Sequence, residues 1–104
     1  MSQAKADCKT VVNAEGNYIE VSDSFCELVG YRREEIIGKR YSDFTVKEAI
    51  DIPTVFDMFV KEGYMQGLWL LAHHDGDSIL VSYESWFRPD GLIESRMGLV
   101  GEVA

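Results

Sequence analysis

The 104-residue chain has the length of one ordinary domain and is too short for two. Hydrophobic residues make up 46% of it and aromatic residues 12%, which is enough for a packed core and excludes a globally disordered chain. Lys and Arg number 10 against 18 Asp and Glu, and the formal charge of -8 disfavours nucleic acid as a partner because phosphate backbones are repelled.

The absence of targeting signals and the low cysteine content indicate a reducing compartment. No apolar run approaches the roughly 20 residues that a membrane helix needs, and the N-terminus lacks the apolar core of a secretory signal. We therefore expect a cytoplasmic protein, or a cytoplasmic part of a larger one, with no membrane partner. Two cysteines without metal-site spacing predict reduced thiols, with Cys26 in the core and Cys8 exposed near the chain end. Residues 1–8 are expected to form a flexible leader and residues 9–104 a single domain.

The first half of the chain predicts two strands followed by a pair of short helices. The segment KTVVNAEGNYIEV, residues 9–21, has β-branched and aromatic residues on both sides of a turn-forming centre. SDSFCELVG, residues 22–30, predicts a short helix with a capping box that starts at Ser24 and with Gly30 as its left-handed stop. REEIIG, residues 33–38, repeats this pattern in miniature, so the chain is expected to turn a tight corner between the two helices.

The second half predicts one longer helix and three strands. DIPTVFDMFVKEG, residues 51–63, predicts an amphipathic helix, and its apolar stripe comprises Ile52, Val55, Phe56, Phe59 and Val60. Residues 65–87 predict a hairpin around an Asp75-Gly76 turn, and residues 92–103 predict a final strand. This order indicates an α+β domain in which a five-stranded antiparallel sheet carries several short helices and one longer helix on one face.

One stretch of this pattern resembles a known family. NAEGNYIEVSDSFCELVGYRREEIIGK resembles the N-terminal half of a PAS domain, and the specific matches are Gly30-Tyr31 and the Glu34–Gly38 segment EEIIG. DIPTVFDMF is similar to the start of that family's long helix, and SILVSYESWFRPDGLIESRMGLV is similar to its last two strands. The resemblance covers roughly residues 9–103. The chain departs from it at Ser22-Asp23, where the family often has Asn-Pro, and at Arg32-Arg33, where a small polar residue is common.

The resemblance implies sensing and signalling rather than catalysis. PAS domains hold a small molecule or cofactor between the sheet and the helices, or pair through the outer face, and regulate a kinase, cyclase or transcription module. We therefore expect a signal-sensing and dimerisation domain whose partner is a second copy or a signalling output domain. The alternative is a ligand-free interaction domain whose only task is pairing. No Ser-His-Asp or Cys-His signature indicates an enzyme.

Haem and flavin are cofactors that the resemblance leaves open, but no residue supports either one. A haem-binding PAS domain usually supplies a histidine from its long helix, and residues 51–63 contain none. His73 and His74 are instead expected at a polar hairpin end, on opposite faces. The cysteine motif of light-sensing flavin domains does not occur, so a flavin would have to bind non-covalently. The HHDGD segment offers metal-ligand types, but a turn splays them apart, so no metal site is expected.

Side-chain alternation divides the sheet into a ligand face and an interface. The predicted pocket residues, which we expect to converge between helices and sheet, are Phe25, Leu28, Ile36, Phe44, Val55, Phe59, Val81, Tyr83, Ser85, Met97 and Leu99. Tyr83 and Ser85 would be its polar groups, and a solid core without a cavity is the open alternative. Leu80 and Trp86 are predicted to lie on an outer interface, together with Trp69, whose face the sequence leaves undecided.

Overall fold

The computed structural model describes residues 8–103, and side chains up to Gly101. The elements are β1 Cys8–Val12, β2 Tyr18–Val21, α1 Asp23–Val29, α2 Arg33–Ile36, two 3₁₀ turns at Tyr41–Phe44 and Lys47–Ala49, α3 Ile52–Glu62, β3 Tyr64–Ala72, β4 Ser78–Phe87 and β5 Ile93–Val103. The five strands form one antiparallel sheet in the order β2-β1-β5-β4-β3. This confirms the predicted fold class.

The first helix begins two residues earlier than the sequence predicted. Its N-cap is Ser22 and not Ser24, because the Ser22 hydroxyl accepts from the Phe25 N–H at 3.3 Å. The same hydroxyl also accepts from the Lys9 N–H at 3.0 Å, so the cap ties α1 to β1. Gly30 ends α1 at φ 78° as predicted, and its N–H donates to the Cys26 carbonyl at 2.9 Å.

An arginine that departs from the family pattern fastens the corner between α1 and α2. The Arg33 guanidinium donates to the Val21 carbonyl at 3.0 Å and to the Asp23 carboxylate at 2.5 Å. It therefore joins the first turn of α2 to the end of β2 and to the start of α1. α2 itself is a single turn that ends at Ile36, and its C-cap is Ile37, one residue before the glycine that we predicted as its stop.

The turn between β3 and β4 packs against the same corner. The His74 N–H donates to the Val29 carbonyl at 2.9 Å, and the His74 ring lies 4.7 Å from the Tyr31 ring. His73 is half-buried directly beside Gly30, where an added Cβ would lie 2.7 Å from the imidazole. Both histidines thus contact the helical corner, although His74 remains exposed as expected of a hairpin end.

The longer helix contacts the sheet through a narrow edge. Phe59 is its one buried residue, and the Phe59 ring stacks on the Phe87 ring at 4.9 Å. Val60, which we predicted to belong to the buried stripe, is 51% exposed because it points away from this edge. The Asp51 cap and the left-handed Gly63 bound the helix.

The core lies between the helices and the inner face of the sheet. Phe25, Val29 and Ile36 from the corner are fully buried and belong to one cluster with Val81 of β4. Cys26 packs against that cluster in a half-buried position.

The N-terminal expectations need two corrections. Cys8 is 7% exposed and is the first residue of β1, so it is neither exposed nor part of a leader. Its register partner is Met97 in the middle of β5, which accounts for its burial. The rest of the predicted leader falls on residues 1–7, outside the described residues. Among residues 8–103, no helix is both long and apolar enough to cross a bilayer.

Candidate ligand cavity and outer sheet face

A cavity of about 90 Å³ lies between α3 and the inner face of the sheet and is partly open to solvent. Five of the predicted pocket residues line it, namely Val55, Phe59, Tyr83, Ser85 and Met97. A small, largely apolar cavity therefore lies at the α3 end of the sheet, and part of the predicted set lines it.

The other six predicted pocket residues lie elsewhere. Four of them are buried in solid core, where α1, α2 and the first 3₁₀ turn pack directly onto the sheet: Phe25, Ile36, Phe44 and Val81. Leu28 is half-buried against that core. Leu99 is 39% exposed. It lies two residues beyond Met97 on β5, and Met97 pairs with Cys8, the first residue of β1, so β1 does not flank Leu99.

The floor of the cavity carries a row of hydroxyl groups that sequence reasoning found only in part. Thr10 of β1 pairs with Ser95 of β5, and Ser95 pairs with Ser85 of β4, so the three side chains lie side by side. The hydroxyls of Ser85 and Ser95 are 2.6 Å apart and hydrogen-bonded. Ser95 shares the parity of the inward-facing Ile93 and Met97, which is the signal that could have identified it.

Three tyrosines surround the same space. Tyr18, Tyr41 and Tyr83 all line the cavity, and only Tyr83 was predicted. Burial raises the pKa of each phenol above its ordinary value, and the neighbouring Tyr41 and Asp43 raise the pKa of Tyr18 further. The three hydroxyls therefore stay protonated at neutral pH and can donate hydrogen bonds.

Trp69 forms a wall of the cavity and does not belong to the outer face. Its indole N–H donates to the Thr45 hydroxyl at 3.0 Å, and that hydroxyl donates to the Tyr41 carbonyl at 3.0 Å. Its ring lies 5.5 Å from the Tyr83 ring in an edge-on arrangement. The expectation that Trp69 contributes to the outer interface is therefore wrong. Trp69 faces inward because it lies at alternate positions of β3 with Met65 and Leu71, which also line the cavity.

The cavity fits neither of the cofactors that the sequence left open. Sites for drug-sized ligands measure roughly 300–1,000 Å³, and haem and flavin are no smaller than such ligands. A space of about 90 Å³ is far below that range. Among the described residues, no three His, Cys, Asp or Glu side chains are grouped to hold a metal ion.

The outer face of the sheet exposes apolar side chains next to the cavity. Leu80 and Trp86 lie there in half-buried positions, as predicted from alternation. Leu80 pairs with Leu70, and Leu68 beside them is 63% exposed. We call Leu68, Leu70, Leu80 and Trp86 the outer patch.

Polar side chains lie between the two ends of the outer patch. Gln66, Glu84 and Arg96 occupy one row across β3, β4 and β5, and they border a shallow groove of about 500 Å³. The small residues Ser82 and Gly98 line the same groove. The outer face thus combines apolar ends with a polar middle.

The strand order, the helices on one face and the cavity beneath α3 define an α+β domain of the PAS type. A family model described as PAS domain matches residues 7–83. The match covers well over half of the chain, so the chain belongs to the PAS domain family, as the sequence resemblance implied.

Solved structures share the fold. A domain of a sensory box sensor histidine kinase/response regulator from Geobacter sulfurreducens is 19% identical, with a TM-score of 0.80 over 93% of this chain and 86% of that chain. A PAS domain from Colwellia psychrerythraea is 17% identical, with a TM-score of 0.79 over 96% and 91%. The PAS domain of an HTR-like protein from Haloarcula marismortui is 18% identical, with a TM-score of 0.77 over 95% and 85%. At such identities the likeness shows a shared fold alone, and no curated protein matches the chain.

Proposed function

We propose that this chain is a cytoplasmic sensory domain that binds a small molecule in the cavity under α3 and passes the binding event to a partner through the outer patch. Membership of the PAS family and the fold shared with a domain of a sensor histidine kinase support a sensing role. The observation that carries the proposal is that β3, β4 and β5 contribute both to the cavity wall and to the outer face.

Neighbouring residues of one strand link the two faces directly. On β4, Tyr83 lines the cavity, while Ser82 and Glu84 on either side of it border the outer groove. On β3, Trp69 lines the cavity between Leu68 and Leu70 of the outer patch. A change of strand twist or side-chain packing in the cavity therefore also moves outer-face residues.

α3, which covers the cavity, is held to the sheet by few buried contacts. α3 contributes Val55, Phe56 and Phe59 to the lining, but only Phe59 is buried. An element with so few buried contacts shifts at low free-energy cost, so a ligand that contacts α3 can select one of its positions. This is the input step of the proposed sensor.

The partner at the outer patch is, in this proposal, a second copy of the chain. The patch places Trp86 and three leucines on one surface, and tryptophan is enriched at the energetic centres of interfaces. A signalling output domain such as a kinase, cyclase or transcription module would then respond to the geometry of the pair.

Measuring the solution mass of the whole chain by light scattering tests the pairing step. We expect a dimer for the wild type, a monomer for Leu68→Glu, and an unchanged dimer for the control Val60→Glu, which changes an exposed α3 residue on the other side of the sheet. A wild type that stays monomeric at high concentration would contradict self-pairing. A dimer that never binds a small molecule would support the ligand-free interaction domain instead.

A further inference from the structure

We infer that the cavity selects a small neutral molecule that carries a hydroxyl or carbonyl oxygen on a compact apolar body. This inference rests on the proposed function, because it names the chemical class that the same cavity would take. Three properties of the cavity lead to it: unpartnered hydroxyls, an uncharged lining and a small volume.

The hydroxyls of two buried residues that line the cavity have no hydrogen-bond partner among the described residues. Thr10 is 3% exposed and Tyr18 is 2% exposed, and neither hydroxyl makes a hydrogen bond within the described part of the chain. Every fully enclosed side-chain nitrogen or oxygen of the described residues does have a partner. The two hydroxyls must therefore keep some accessible surface, and the cavity that both residues line is where that surface lies.

The floor offers a third donor. Ser85 and Ser95 share one hydrogen bond at 2.6 Å, which uses the proton of one hydroxyl and leaves the proton of the other. A ligand that fills the cavity shields these hydroxyls from solvent, so an oxygen atom on the ligand must replace the hydrogen bonds that water can offer them. A purely apolar ligand offers no such replacement.

Charge is disfavoured inside the cavity. The described residues that line it include no Asp, Glu, Lys, Arg or His, so an ion would lose its hydration without gaining a countercharge. The remaining walls are apolar or aromatic, and the Trp69 indole N–H is already bonded to Thr45. A neutral body with one or two oxygen atoms matches both parts of the lining.

The size of the cavity limits the body to a few atoms. An apolar cavity of about 150 Å³ holds benzene, and the cavity measures about 90 Å³ with an opening to solvent. Its half-buried lining residues Tyr41, Val55 and Phe56 place the opening beside α3, the element that can give way. A five-membered ring with one substituent is about as large as benzene, so as a probe it fills the cavity and extends into the opening beside α3.

Titration with three probes of one shape tests the inference. Cyclopentanol, methylcyclopentane and cyclopentylammonium differ in a single substituent, which is a hydroxyl, a methyl or a charged ammonium group. Nuclear magnetic resonance of the whole chain reports binding through the Trp69 indole N–H in the cavity wall. The Trp86 indole N–H reports separately whether binding is felt at the outer patch. Weak binding of such small probes is expected and suits this method.

We expect cyclopentanol to shift the Trp69 resonance and cyclopentylammonium to leave it unchanged. Tyr18→Phe and Thr10→Val, which keep the side-chain shapes, should each weaken cyclopentanol about three- to tenfold and leave methylcyclopentane unchanged. Circular dichroism confirms that each variant is folded, and either variant suffices for the test.

Two results would overturn the inference in different ways. If the cavity binds cyclopentanol but neither variant changes its affinity, or if the ammonium binds equally well, the hydroxyl selection is wrong and the proposed sensor function still stands. If none of the probes shifts Trp69, small-molecule binding in the cavity fails, and the proposed function loses its input step as well.

Discussion

Replacing Gly30 by alanine should destabilise the fold through two separate effects. Gly30 has φ 78°, and in this left-handed conformation a residue with a Cβ costs about 1–2 kcal/mol. The new Cβ would also lie 2.7 Å from two atoms of the His73 ring, so the ring must move. Moving it disturbs the contacts of His73 Nδ1 with Asp75, 2.8 Å from Oδ1 and 3.1 Å from the backbone nitrogen. His73 makes only one of these hydrogen bonds in a given tautomer, because Nδ1 either donates to the carboxylate or accepts from the N–H. One such exposed hydrogen bond contributes about 0.5–1.5 kcal/mol, so we expect a total loss of about 1.5–3.5 kcal/mol.

Gly63 supplies the matched control for this prediction. It ends α3 at φ 77°, but a Cβ there would meet nothing within 4 Å, so Gly63→Ala should cost only the left-handed part, about 1–2 kcal/mol. Urea denaturation gives the free energies of unfolding. When His73 is already alanine, adding Gly30→Ala should cost little more than Gly63→Ala does in the wild type, because no imidazole ring has to move. Each kcal/mol corresponds to about 4–8 °C in Tm. Equal losses for the two glycine variants, or an undiminished loss from Gly30→Ala when His73 is alanine, would refute the role given to His73.

Two further predictions concern caps and charges. Ser22→Ala should lower the free energy of unfolding by about 1–2 kcal/mol, because Ser22 is the N-cap of α1. Urea denaturation should show a clearly smaller loss for Ser24→Ala. A larger loss for Ser24→Ala would indicate that Ser24 is the cap, as the sequence predicted. The hydrogen bond from the Asp77 N–H lowers the pKa of the Asp75 carboxyl, so its charged form stabilises the fold above the ordinary carboxyl pKa and this contribution is lost as the pH falls through the lowered value. Asp75→Asn should therefore be less stable than the wild type at neutral pH, and this difference in the free energy of unfolding should close in acid. A difference that persists in acid would argue against a contribution from the charge.

The parts of the fold that could be predicted from sequence are those that depend on local backbone geometry. The left-handed stops at Gly30 and Gly63 follow from neighbouring residues alone, and so does the turn at Asp75-Gly76. The alternation of side chains along β4 likewise predicted that Tyr83 would face the helices. This prediction requires only the two-residue period of a single strand and no knowledge of its neighbours.

What the sequence did not reveal depends on contacts between distant segments. The hydroxyl row exists because the register between β1 and β5 puts Thr10 beside Ser95, and no local pattern specifies a register between the first and last strands. Ser22 prevails over Ser24 as the cap because its hydroxyl also reaches the backbone of β1, which is a tertiary contact. Leu99 has the right parity for the pocket but lies too far along β5.

The central position of β5 has a consequence for biosynthesis. This strand is the last of the five to be made, and it joins β1 to β4, so the two halves of the sheet stay separate until residues 93–103 have left the ribosome. A nascent chain that stops before Ile93 would present two unjoined hairpins with open edges, a state prone to aggregation. The hydroxyl row, and with it any ligand selectivity, can therefore arise only after β5 has been translated.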